Sequence, residues 1–375
     1  MKYIAATADR NTAYPTNKTY PLIIQKPSVS WQKKIMKAAV LIKNGDAATA
    51  FEIRDVATPL FRNDEVLIKV AAFGLNFADV MARMGMYKEA PPKPAILGYD
   101  VAGTVVAVGE NVTHLKTGDR VTAMTRFGGY AEYAVTKASA VTEIPAEMDY
   151  ATATALTTQY CTAYFAAAEM INLHAGDKVL VQSGAGGVGT ALIQYAKHRQ
   201  CEIFSTAGSE TKLNYLRSLG VHHPINYTTH DFETEIMTLT DGKGVDAIFD
   251  AVGGASIKKG FRLLAAGGRI VCYGAAAISD KNIFGKISTA LAFGFYHPLQ
   301  FMTASKALIG VNMLRIADNK PEVIQRCLAA VVQLNKEGVF TPTIGKVFEV
   351  ADIGAAHDFL EKRKSIGKVV VQWWS

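Results

Sequence analysis

Val179-Leu180-Val181-Gln182-Ser183-Gly184-Ala185-Gly186-Gly187-Val188-Gly189-Thr190-Ala191-Leu192 is the stretch on which the fold turns. Apolar and β-branched residues run into four glycines, and a helical pattern follows in which Val188, Ala191, Leu192, Tyr195 and Ala196 recur on one face. Gly184, Gly186 and Gly189 match G-x-G-x-x-G. Glycines at those places permit a tight turn, let the backbone approach a pyrophosphate, and allow helix and strand to pack closely. The N-terminus of the helix, at Gly187 and Val188, adds unpaired N–H groups and a positive dipole end. With a strand before it and an amphipathic helix after it, the motif has the context a dinucleotide site needs, and no Gly-Lys-Ser/Thr closes it as a P-loop requires. The competing reading, a Gly-rich turn with a purely structural role, explains the glycines but not that context.

The end of the next predicted strand, Glu202–Thr206, separates the two nicotinamide cofactors. About 20 residues beyond the loop an NAD site carries Asp or Glu for the ribose 2′-hydroxyl; here the chain reads Ser205-Thr206-Ala207-Gly208-Ser209. No carboxylate is there to repel a 2′-phosphate. Thr206 and Ser209 offer hydroxyls, and Lys212 and Tyr227 lie where they can supply further donors to that phosphate, although Lys212 alone also reads as a solvated helix residue. Together the pattern points to NADPH.

Outward from the loop, Lys178–Gln182, Glu202–Thr206, Val245–Asp250 and Arg269–Tyr273 read as buried strands with helical patterns between them, so a doubly wound parallel sheet with right-handed crossovers is expected. Leu213, Leu216 and Leu219 mark one of those helices and Gly220 its C-cap. Residues 36–160 differ: short β-type runs at Ala38–Ile42, Glu65–Ala72, Val101–Val108, Arg120–Met124 and Tyr130–Val135 alternate with Gly, Asn and Pro turns. The tail gives a strand at Lys346–Val350, a helix at Ala351–Arg363 and a strand at Lys368–Gln372. At 375 residues two domains are expected.

The net charge of +7 does not make a nucleic-acid surface. Residues 1–35 hold six basic side chains against the single Asp9, so five of those seven charges belong to an aperiodic N-terminal arm, and Met36 opens a body close to neutral. Cys161, Cys201, Cys272 and Cys327 stand apart in apolar contexts, as buried free thiols do. The arm lacks the order of a signal peptide, and the longest apolar run, Ile287 to Tyr296, is half of the ~20 residues a membrane helix needs. A cytoplasmic protein is expected.

The remaining motifs resemble one superfamily. Gly74-Leu75-Asn76-Phe77-Ala78-Asp79, Gly98-Tyr99-Asp100-Val101-Ala102-Gly103, Gly118-Asp119-Arg120-Val121, Gly129-Tyr130-Ala131-Glu132-Tyr133, Thr162-Ala163-Tyr164, the glycine loop, Gly267-Gly268-Arg269 and Gly367-Lys368-Val369 are similar to those of the medium-chain dehydrogenase/reductases. Within them the chain resembles the zinc-free quinone oxidoreductases of zeta-crystallin type, most closely the vesicle amine transport protein group. The likeness spans Met36 to Gln372. It implies an α/β protein in which a GroES-like β-rich catalytic domain (36–160 and 311–375) flanks a Rossmann domain (161–310), with the site in the cleft. It also implies that Lys212 and Tyr227 grip the 2′-phosphate, that Thr162, Val252, Gly274 and Ala275 line the nicotinamide end, and that the protein is a homodimer.

Zinc dehydrogenases of the superfamily hold their catalytic metal with Cys, His and Cys, since thiolate and imidazole suit tetrahedral zinc with an open position. The resemblance puts Asn76, Tyr99 and Thr158 at those places, so no metal is expected. Without one to polarise an alcohol, delivery of hydride from NADPH to an acceptor that is already electron-poor remains, and quinones and α,β-unsaturated carbonyls are such acceptors. Asn76 is the candidate hydrogen-bond donor beside the nicotinamide, and Tyr87 and Tyr99 are candidates for a phenolic proton. Packing tyrosines in turns would look the same. The alternative is an NADPH-binding sensor or lipid-associated protein with little turnover, suggested by the aromatic segment 284–301; a dimer surface or a pocket lid accounts for that segment equally, so membrane contact is not favoured.

Overall fold

The structure, a computed structural model, describes residues 34–276 and 292–373. The expectations for the N-terminal arm up to residue 33 and for Phe284 lie outside those residues. Eight strands come first: β1 (Ile35–Leu41), β2 (Phe51–Ala57), β3 (Glu65–Leu75), β4 (Ala95–Ile96), β5 (Asp100–Val108), β6 (Arg120–Met124), β7 (Tyr133–Lys137) and β8 (Val141–Glu143). β1 joins β2 and β4 in a small antiparallel sheet, while β3, β5, β6 and β8 form most of a larger one, with β7 on the far part of β3. β3 buries Val66, Leu67, Ile68, Val70 and Phe73, so it is covered on both faces and its sequence runs almost continuously apolar.

The strand expected at Tyr130–Val135 begins three residues later. Tyr130 lies between the two sheets: its N–H donates to Leu97 O (3.0 Å) and its carbonyl accepts from Ala39 N (2.8 Å), while its ring is fully buried. Burying the ring there holds the sheets together and removes the residue from the β7 ladder.

From Lys178 the chain builds the second sheet: β9 (Lys178–Val181), β10 (Glu202–Ala207), β11 (His223–Asn226), β12 (Val245–Asp250), β13 (Leu264–Cys272) and β14 (Ala307–Gly310). All pairs are parallel and the order is β11-β10-β9-β12-β13-β14. Connections therefore leave β9 to one side first and to the other side from β12 onward, which opens a crevice above the carboxyl ends of β9 and β12. The helix Gly187–His198 follows β9 and buries Ala191, Leu192, Tyr195 and Ala196; Glu210–Leu219 follows β10, capped by Ser209 and ended by Gly220 in the left-handed region at φ +87°.

After β14 the helix Pro321–Lys336 packs Val323, Ile324, Cys327, Leu328 and Val331 into the core shared with Val179, Val181 and Leu192. The chain then rejoins the larger β-sheet through β15 (Ile344–Glu349) and β16 (Lys368–Gln372), with β16 antiparallel to β3. A helical stretch that the sequence reading did not identify, residues 150–170, joins the domains. It contains two π segments, Leu156–Tyr160 and Phe165–Met170. Such widened turns recur at functional sites, and Thr158 and Gln159 sit in the first.

Candidate active site

The glycine loop lies at the crevice, as its place after β9 requires. Gly184 N donates to Thr206 O (3.1 Å) and Gly186 N to Ser183 O (3.0 Å), closing a turn in which Ser183 takes φ +56°. A Cβ on Gly189 would stand 2.6 Å from both Gly184 Cα and Ser183 O, so helix and loop meet backbone to backbone. Ser183, Gly186 and Val188 keep partial exposure while Gly184, Gly187 and Gly189 are buried. That alternation presents one edge of the turn to the crevice.

At this edge are buried polar atoms with no protein partner among the described residues: Gln182 Nε2, from the residue before Ser183, and Gln159 Oε1. The Gln159 amide lies against Gly187, where a Cβ would collide with it. Buried polar groups are nearly always hydrogen-bonded, so these orphans mark where a polar ligand would complete the site. A nicotinamide dinucleotide fits that demand: a loop without side chains, a helix N-terminus and unsatisfied groups on either side.

At the end of β10 the predicted residues divide. The Thr206 hydroxyl faces inward, donating to Gln182 Oε1 (2.6 Å) and accepting from Ser183 N (3.2 Å), so it supports the loop rather than facing a ligand. Ser209 caps its helix, accepting from Lys212 N (3.4 Å). The Tyr227 hydroxyl lies over Gly208, where a Cβ would be 2.5 Å away. Lys212 donates to the carbonyl of Arg363 (2.6 Å). Burial lowers the Lys212 ammonium from its usual value, and the nearby Arg363 guanidinium lowers it further.

The residues expected at the nicotinamide end come from three elements. Asp250 at the end of β12 accepts from Val252 N (2.8 Å), Gly253 N (2.7 Å) and Ser256 Oγ (2.5 Å), and Gly274 after β13 packs on Ala251, 2.6 Å from its carbonyl to a would-be Cβ. Ala275 stands beside Gly253. Thr162 is bonded to its own helix through Thr158 O (2.6 Å).

Across the crevice Asn76 starts the helix Phe77–Arg83, its N–H donating to Asp79 Oδ2 (2.8 Å). Its amide oxygen accepts from Lys368 Nζ (3.0 Å) and its amide nitrogen donates to Asp100 Oδ1 (3.1 Å), while Lys368 Nζ pairs with Asp100 Oδ2 at 2.6 Å. Burial pushes the Asp79 carboxyl up to about 7, with the Asp100 charge adding to it. Tyr99 packs edge-on to Tyr87 (6.2 Å between centroids) and against Phe127 (5.0 Å). Burial raises both phenols, Tyr99 far more, and the Asp79 charge raises Tyr99 further. Both phenols are therefore held in the neutral form.

No group of three or more His, Cys, Asp or Glu that could hold a metal ion occurs among the described residues, and all four cysteines are free. Sequence reading missed Lys368, Asp100 and Gln159. Lys368 opens β16 and Asp100 opens β5, and only an ionisable residue at the head of a β-type run signalled them.

Residues 187–329 match the family described as zinc-binding dehydrogenase, and residues 62–146 the alcohol dehydrogenase GroES-like domain. The chain is 34% identical over 317 residues to the synaptic vesicle membrane protein VAT-1 homolog of Danio rerio, covering 84% of this chain and 65% of that protein. It is 32% identical over 342 residues to the quinone oxidoreductase of Sus scrofa, covering 90% and 98%. Among solved structures, a mycobacterial protein complexed with NADPH superimposes with a TM-score of 0.79 at 28% identity, over 90% of this chain and 99% of that one.

Because Gly189 touches only backbone that has nowhere to move, Gly189→Ala should weaken cofactor binding by about tenfold or more, a loss of roughly 1.4 kcal/mol. Titration of nicotinamide fluorescence measures it, and unchanged affinity would show that the loop tolerates a wider helix contact.

Proposed function

Since the chain belongs to the medium-chain dehydrogenase/reductase superfamily, we propose that it is a zinc-independent oxidoreductase that uses NADPH to reduce a quinone or an α,β-unsaturated carbonyl. The observation that carries the cofactor choice is the end of β10 itself: where an NAD site would hold a carboxylate, Ala207 and Gly208 are followed by Ser209 and Lys212, and the Tyr227 hydroxyl lies over Gly208. NADPH bound there supplies the hydride.

The residues of the chain supply the rest. The first-turn N–H groups of the helix Gly187–His198, at Gly187 and Val188, face the pyrophosphate, and Lys212 and Tyr227 hold the 2′-phosphate. Val252, Gly274, Ala275 and Thr162 bound the nicotinamide. Asn76 donates its one uncommitted N–H to the oxygen on which the acceptor's negative charge develops. Tyr99, packed edge-on to Tyr87 and tilted against Phe127, gives a planar acceptor an apolar wall and a hydroxyl to bond. Asn76, Tyr99 and Thr158 replace the three ligands a catalytic zinc would need, which supports metal-free chemistry.

A second reading draws on a different surface. Phe295, Leu299 and Met302 are 92%, 56% and 76% exposed on and before the helix Pro298–Ala304. No helix among the described residues is long and apolar enough to cross a membrane. The same face adjoins β14, the edge strand of the parallel sheet, and we favour its use in a homodimer over contact with lipid. A dimer by sedimentation with no pelleting on anionic liposomes is the expected result; a monomer that pellets would favour the lipid reading.

NADPH should bind at least several-fold tighter than NADH, and Lys212→Ala should remove most of the difference; equal affinities in the native chain would overturn the cofactor choice. Steady NADPH oxidation should appear with at least one small quinone or enone and should fall by about 100-fold in Asn76→Ala, the cost of losing one such donor. No turnover across a broad acceptor panel would sink the proposed activity.

A further inference from the structure

Lys368 is 1% exposed and Asp100 is 0% exposed, so both charges of this ion pair have left water. Such a pair is a poor route to stability, because desolvation offsets most of the attraction and apolar residues of similar volume often serve as well. Its geometry does something an apolar pair would not. An ammonium only donates and a carboxylate only accepts. The Asn76 amide, set between them, is thus fixed in one orientation: its oxygen must face Lys368 (3.0 Å) and one of its N–H groups must face Asp100 (3.1 Å). The second N–H has no partner among the described residues. Gly74 makes the room, since a Cβ there would collide with the Lys368 side chain and lie 2.9 Å from Asp100 Oδ1.

The lysine is also registered against the cofactor loop. Gly367, one residue before it, donates its N–H to Ala185 O (2.8 Å) and forms a parallel bridge with Gly186. Its φ of +66° and its contact with Thr343 O leave no place for a side chain. One short segment therefore touches the dinucleotide turn through its backbone and the Asn76 amide through its side chain.

We propose that Lys368, with Asp100, is a positioning residue for hydride transfer: the pair locks the Asn76 amide so that its remaining N–H faces the acceptor oxygen, and Gly367 sets that donor in register with the glycine loop. This rests on the reading of Asn76 as the donor given above. A pair that only holds the corner between β16 and β3 would leave turnover untouched once replaced by well-packed apolar residues.

Replacing one partner alone leaves the other charge buried and unpaired, so the informative variant of the full chain is Lys368→Met/Asp100→Leu. Its melting temperature should stay near the native value and its NADPH dissociation constant within about twofold, while kcat with the best acceptor should fall by about 100-fold, to the level of Asn76→Ala. Adding Asn76→Ala to the double variant should then cost nothing more. Native kcat in the folded double variant, or a further large loss on adding Asn76→Ala, overturns the proposal. A readout independent of turnover and of the variant's folding is the Asn76 side-chain amide in NMR spectra of the native NADPH complex. The proton held by Asp100 should exchange slowly with solvent and its partner rapidly; equal rates overturn the positioning role even if the chain reduces no acceptor. Absence of turnover in the native chain with unequal rates counts against the proposed activity and supports the lock.

Discussion

The buried charge pair between Lys368 and Asp100 is the constraint around which the larger β-sheet of the catalytic domain is arranged. Removing one partner of such a pair typically costs about 3–5 kcal/mol, because the other is stranded away from water. The chain must therefore bring residue 368 back to residue 100, and it does so by laying β16 antiparallel to β3, with Val369 opposite Leu75 and Val370 opposite Gly74. β3 in turn pairs with β5, which opens on Asp100. The absence of a side chain at Gly74 follows from fitting an ammonium into that corner.

Much of the scaffold was legible in the sequence because its signals are local. The strands Arg120–Met124, Val245–Asp250 and Lys368–Gln372 have the predicted bounds, and Gly220 ends the helix it was expected to end. Each depends on periodicity or on a residue with special backbone freedom. The same locality explains the misses. Tyr130 looked like the first residue of a strand, since nothing nearby says that its carbonyl is claimed by Ala39 and its ring by the core. The π turns of 150–170 leave no mark in composition, and they decide that Thr158 and Gln159 sit in a widened turn of the joining helix.

The candidate site was half legible for the same reason. Glycines announce the turn, and the missing acid after β10 is itself a local sign. Thr206 could not be placed this way: a hydroxyl at a strand end reads equally as ligand-facing or loop-facing, and Gln182, 24 residues earlier, takes it inward. Lys368 and Asp100 are 268 positions apart, so no window along the chain contains both. The trace the pair leaves is an ionisable residue at the head of Lys-Val-Val-Val-Gln, and a lysine buried there needs a partner for its charge.

In the proposed reaction these same features limit what the acceptor can be. A metal stabilises a developing alkoxide with a full charge close to the oxygen. The wall here offers one amide N–H, fixed in direction by its two neighbours, and phenols whose protons burial holds tightly. Such donors are neutral, so their stabilisation of a localised alkoxide falls well short of a cation's. An acceptor that spreads the arriving charge over a conjugated system asks less of each donor. The lock on Asn76 would then matter more than its strength: a donor that does not have to reorient contributes its full hydrogen bond as the charge appears, with no reorganisation at the moment of transfer.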